Sequence, residues 1–144
     1  MAPIVILVGL PGSGKSTWAA QQGWNALSSD AIRIVLADDI SNQSIHARVF
    51  ATLRYLLRQR LAIGRPITCI DATHLTRAER KPYIEIARWH KCEIEAVYFA
   101  APLAVCLERN RARARNVPED ALFAMAAKLE PPEMEEGFSQ VTRI

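Results

Sequence analysis

A row of β-branched and aliphatic residues, Ile4-Val5-Ile6-Leu7-Val8, runs directly into Gly9-Leu10-Pro11-Gly12-Ser13-Gly14-Lys15-Ser16. An apolar run without alternation reads as a strand buried on both faces, as in parallel sheets covered by helices on either side. The octapeptide fits GxxxxGK followed by Ser or Thr, and it stands where that pattern must, between a strand and the start of a helix. Its glycines let successive N–H groups turn inward, while the helix opening at Lys15 points its positive dipole end at the same spot. Such a loop is built for a phosphate chain. Gly12, Ser13 and Gly14 would line the cradle and Lys15 would meet the β- and γ-phosphates. Ser16 would ligate the bridging Mg²⁺, with Thr17 as a helper. The implied ligands are ATP, or another nucleoside triphosphate, and Mg²⁺.

The rest of the chain repeats the change from strand to helix. Residues 25–28 read as a short strand, with Asp30 at the turn and a helix through Leu36. Between 42 and 63, Ile45, Val49, Leu53, Leu56, Leu57 and Leu61 recur at helical spacing opposite Arg48, Arg54, Arg58 and Arg60, and Gly64 ends the helix. Strands follow at 66–70, stopped by Asp71, and at 92–100. A helix over 76–90 separates them, with Ile84, Ala87 and Trp89 expected on its inner face. Helices led by Pro102 and Pro118 and a last strand within 137–144 complete the tally. The alternation predicts one α/β domain over residues 1–144, a parallel sheet of about five strands flanked by helices, with ligands at the carboxyl ends of the strands.

Composition narrows the setting. At 144 residues the chain suits one domain. Its apolar runs fall well short of the roughly 18 residues that span a bilayer. No signal-like segment opens the sequence, so a cytoplasmic protein is expected. Cys69, Cys92 and Cys106 lie in apolar stretches without metal or redox spacing and read as reduced, buried thiols. The formal charge of +3 suits phosphate-bearing partners without proving one.

Other residues fall where chemistry could use them. Asp30, just past the second strand, could serve as general base for an acceptor hydroxyl or as the N-cap of the next helix. Asp71, closing the third strand, could hold a magnesium-bound water, contact the acceptor, or simply make a turn. Arg109, Arg111, Arg113 and Arg115 crowd into seven residues before Val117-Pro118. That density fits a lid over about 109–125 that clamps phosphate and excludes water, or in part a solvated basic face. Trp18, Trp24 and Trp89 read as core residues, one of which could instead stack on a base; His46, His74 and His90 read as helix-surface or capping residues.

Taken in order, Pro11-Gly12-Ser13-Gly14-Lys15-Ser16-Thr17-Trp18, Asp30 with Arg33, Asp71-Ala72-Thr73-His74, and Arg109-Asn110 with Arg113, Arg115 and Val117-Pro118 resemble the small P-loop kinases around the kinase domain of phage polynucleotide kinase. The resemblance implies a P-loop kinase fold and ATP- and Mg²⁺-dependent phosphorylation of a 5′-hydroxyl on DNA or RNA. It implies Asp30 as base, Arg33 on the acceptor's neighbouring phosphate, Asp71 and Thr73 on the acceptor side, Arg113 as the lid arginine, and Arg109 and Arg115 in support. The phage pattern has its acid directly before the Thr, where Ala72 stands here, and Asn at the place of His74. With no phosphatase region after Ile144, healing of broken ends would call on a separate phosphatase or ligase. A kinase of a metabolite, nucleoside or transfer RNA shares the phosphate chemistry and differs in the acceptor pocket, and a nucleotide-dependent switch is a third reading.

Overall fold

The computed structural model describes residues 1–114 and 116–144. Arg115 lies outside the described residues. Strand β1 (Ile4–Val8) is the middle of a five-stranded sheet. Outward on one side lie β3 (Thr68–Asp71) and β2 (Leu27–Ser28), and on the other β4 (Ile94–Tyr98) and β5 (Gln140–Arg143). Every pairing is parallel, with Ile6 opposite Ile70 and Ala96. All of β1 is buried, and its side chains split by parity between two cores as a pleated strand requires. Ile4, Ile6 and Val8 enter the core shared with helices α3 (His46–Ala62) and α4 (Arg77–Trp89). Val5 and Leu7 enter the core shared with α1 (Lys15–Gln21), where Trp18 packs edge-on against Trp24 and Phe99. Helices α5 (Leu103–Ala112) and α6 (Glu119–Lys128) bury Cys106 and Leu122 against Leu10 and Leu75, covering the carboxyl edge of the sheet.

The expected parallel sheet with helices on both faces is therefore present, and three local readings change. The long helix starts at His46 rather than at residue 42, because Asp39 and Asn42 accept hydrogen bonds from the backbone N–H groups of Ser41 and Ser44, both at 2.9 Å. These turns compete with helix for the same backbone. Trp89 is not a core residue: it is 85% exposed. Five residues beyond Ile84 it has rotated about 140° from that side chain, away from the face formed by Tyr83, Ile84 and Ala87. His74 is neither on a helix surface nor a cap but fully enclosed, in a left-handed turn with φ 48°. Cys69 and Cys106 are buried and Cys92 is half-buried, all three as free thiols. Among the described residues no helix is long and apolar enough to cross a membrane.

Candidate active site at the carboxyl edge of the sheet

The loop between β1 and α1 reverses the chain through Gly12 at φ 81° and Gly14 at φ 102°, backbone that side chains with a Cβ rarely adopt. Gly12 has a second reason to be glycine, since a Cβ there would stand 2.9 Å from the Cys106 carbonyl of α5. Lys15, the first residue of α1, is folded back into the loop, where its Nζ donates to the Gly9 and Leu10 carbonyls at 3.0 and 2.9 Å. Burial pushes its ammonium down from the ordinary 10.5 to about 8, against the opposing pull of Asp71, Cys106 and Asp30; Arg113 lowers it a little further. A drop of that size corresponds to roughly 3 kcal/mol of penalty on the charged form. An anionic ligand in the loop would relieve it. The buried Ser13 hydroxyl, which has no hydrogen-bond partner among the described residues, adds an idle polar group to the same cradle.

The neighbouring strands carry the acids to this point. Ser28 pairs with Asp71 across β2 and β3, so both strands end at the same level. Asp71 accepts a hydrogen bond from Ser16 Oγ at 2.6 Å. Asp30 lies in the first turn of α2 (Ser29–Ala37), and the cap of that helix is Ser28, whose side chain accepts from the Ala31 N–H at 3.2 Å. Capping therefore falls to Ser28, while Asp30, in the same first turn, acts electrostatically on Lys15. Arg33 is buried, with Nη1 donating to the Asn42 carbonyl at 2.9 Å, so it ties α2 to the turn before α3. Thr73 meets the loop through its backbone, its carbonyl accepting from Gly9 N–H at 3.0 Å. Thr17 is exposed on α1 beside Ser16.

On the opposite side α5 brings up the arginines. Arg109 donates through Nη1 to the Gly12 carbonyl at 3.2 Å. Arg113, exposed at the end of α5, bears electrostatically on Lys15, whereas Arg111 turns to Glu119 at 2.6 Å. The described arginines thus divide between the phosphate loop and the surface.

A family model for an AAA domain, AAA_33, matches residues 4–132. The chain belongs to this family of P-loop kinases. It is 24% identical over 136 residues to the L-seryl-tRNA(Sec) kinase of Methanococcus maripaludis, covering 90% of this chain and 53% of that protein. It is 27% identical over 150 residues to the bifunctional polynucleotide phosphatase/kinase of Schizosaccharomyces pombe, covering 98% of this chain and 33% of that one. The chain therefore spans about half or less of the length of these relatives. Among solved structures, Chaetomium thermophilum Kti12 in complex with ADP-AlF3 shares the fold, with a TM-score of 0.76, 16% identity, and coverage of 99% of this chain and 88% of that one.

In this P-loop kinase, sequence reasoning missed the residues that support the site from behind. His74 Nδ1 lies 2.5 Å from the Leu7 carbonyl, which obliges that nitrogen to carry the proton. Burial holds the ring down to about 4, so it is neutral at physiological pH, and it meets Tyr83 edge-on at 5.0 Å. Arg80 is fully buried: it donates to the His74 carbonyl at 2.9 Å and pairs with Glu136 at 2.8 Å. Buried Asn110 clasps Val117 through both backbone groups, at 2.7 and 2.9 Å, closing the ends of the arginine loop. Asn110 was legible in the Arg109-Asn110 match; Arg80 and Glu136, 56 positions apart, had no local signal.

Proposed function

We propose that this kinase transfers the γ-phosphate of ATP to the 5′-hydroxyl of DNA or RNA ends. The observation that carries the reading is the division of labour between two carboxylates beside one buried lysine. Asp71 is committed to Ser16, the residue expected at the metal, so we assign it to the metal side through a bound water. Asp30 is the carboxylate we assign as base. As the acceptor oxygen bonds to the γ-phosphorus, its proton passes to Asp30 and the bond to the β-phosphate oxygen breaks, releasing ADP. Lys15 and Arg113 meet the charge on the transferring group, and Arg109 holds the loop that cradles it. Segment 109–125 acts as the lid, with Arg115 as a further candidate. Arg33 and Thr73 stand on the acceptor side.

Mg²⁺ fits the residues present. An exposed hydroxyl paired to a carboxylate beside a phosphate cradle suits an ion held mainly by phosphate oxygens and water. Bound there it would neutralise charge on the β- and γ-phosphates. Similarity to a polynucleotide phosphatase/kinase over nearly the whole chain supports the acceptor class. The seryl-tRNA kinase relative supports a second reading, a hydroxyl on a charged transfer RNA. A phosphatase or ligase would act alongside the kinase in end repair. The free thiols agree with the cytoplasm as its compartment.

The test is transfer of labelled γ-phosphate from ATP and Mg²⁺ to 5′-hydroxyl DNA and RNA oligonucleotides, with seryl-tRNA in parallel. We expect labelled oligonucleotides, and a loss of at least a hundredfold in Asp30→Ala and in Lys15→Ala. Labelling of seryl-tRNA alone would replace the polynucleotide reading. Unchanged turnover in Asp30→Ala would remove Asp30 as base.

A further inference from the structure

Away from the phosphate loop, α3 and α4 enclose an open groove of about 540 Å³ lined by Arg54, Arg58, Pro82, Glu85, Trp89 and His90, with Ile86 at its floor. At His90 it adjoins a second groove of about 250 Å³ that includes Arg65. The wall formed by α3 contributes Arg54 and Arg58, and the helix has no acidic residue. Neither Arg54 nor Arg58 forms an ion pair among the described residues, and Glu85 faces Lys81 at 3.9 Å. Trp89 stands here with 85% of its surface exposed.

We propose that this groove binds a single strand of nucleic acid, with Trp89 stacking on a base and Arg54 and Arg58 on the flanking phosphates. An exposed indole beside cations without counter-ions matches the alternation of flat base and charged phosphate along a single strand, whatever its sequence. A protein partner would require a wider apolar patch around the indole, and beside Trp89 the groove offers only Pro82 and Ile86 as apolar surface, against Arg54, Arg58, Glu85 and His90. The direction of α3 joins the groove to the acceptor side of the active site. The helix begins at His46, on which buried Arg33 acts electrostatically, and Arg58 lies about 18 Å further along it. A strand with its 5′ end near Asp30 and Arg33 would follow α3 down to Trp89. This extends the polynucleotide reading, yet the groove can be tested without catalysis.

The experiment titrates a 5′-hydroxyl DNA 12-mer and a dinucleotide into the protein without ATP, reading tryptophan fluorescence, and then measures phosphorylation of both. For the 12-mer we expect quenching that Trp89→Ala removes, with affinity about tenfold weaker. We expect Arg54→Ala/Arg58→Ala to flatten the slope of log affinity against log salt by about 1.4. Both variants should raise KM for the 12-mer while leaving kcat, and all turnover of the dinucleotide, as in the wild type. Wild-type binding and turnover of the 12-mer in both variants would overturn the groove and leave the kinase reading standing. Trp89-dependent binding without phosphorylation of any oligonucleotide would uphold the groove and overturn the acceptor assignment. Failure of the wild type to bind the 12-mer, or quenching by acidic peptides alone, would overturn the groove.

Discussion

The two walls that meet over Lys15 are built in opposite ways. The phosphate-loop wall hangs from the fully buried β1 and is tied to the end of β3 at Ser16–Asp71 and to the segment after it at Gly9–Thr73 and Leu7–His74. The arginine wall carries Arg109 and Arg113 exposed to solvent, and its loop is closed at the base by the Asn110–Val117 clasp. The difference follows from what each must do. N–H groups aimed at phosphate act best when set in place before the ligand arrives, and the cost is a desolvated ammonium at Lys15. A guanidinium that answers charge on a moving phosphoryl group needs only its anchor fixed.

Arg113→Ala should make the largest change, lowering kcat by about a thousandfold while the dissociation constant for ATP hardly moves. An equal loss of ATP affinity would show that Arg113 belongs to the preset cradle, and the contrast between the walls would fail. Gly12→Ala should come next, because it places a Cβ at a φ of 81° and against the Cys106 carbonyl. We expect roughly 1–3 kcal/mol less stability in chemical denaturation, together with weakened ATP binding. Wild-type values for both would mean that the cradle is softer than its ties indicate. Asn110→Ala should cost about 1–2 kcal/mol, since two backbone groups lose their partner. Its kcat should fall tenfold or less, with ATP affinity intact, and kinetics with direct nucleotide binding separates the two.

The smallest effect is a proton. With Lys15 lowered to about 8 in the folded protein, the unfolded chain binds more protons between that value and 10.5. Stability without ligand should therefore rise with pH across this window, and below it the buried ammonium remains a cost. ATP should restore the charged form. Binding near pH 9 should take up close to one proton, and binding at pH 7 almost none. Calorimetry in two buffers of different ionisation heat reads that uptake, and equal uptake at both pH values would assign the proton to another group.

Much of the active edge was legible because its signals are local. The β1 run, the glycine spacing and the acids just after strands each require neighbouring residues only, so Lys15, Ser16, Asp30 and Asp71 could be placed by reading along the chain. Trp89 was misplaced because a hydrophobic residue at a helix end carries no record of which way the helix is turned. His74 was misplaced because an imidazole in a polar-looking turn gives no sign that the Leu7 carbonyl waits behind it.

By itself the sequence determined the fold class, the phosphate loop and the order in which strands deliver charged residues to one edge, since these depend on side-chain periodicity and backbone freedom over a few residues. Only the tertiary structure decided the partners. Asp71 meets Ser16 across 55 positions, Arg80 meets Glu136 across 56, and Arg109 meets Gly12 across 97. Contacts of that kind arise from packing helices against a sheet, where burial holds distant groups close enough for hydrogen bonding to select among them.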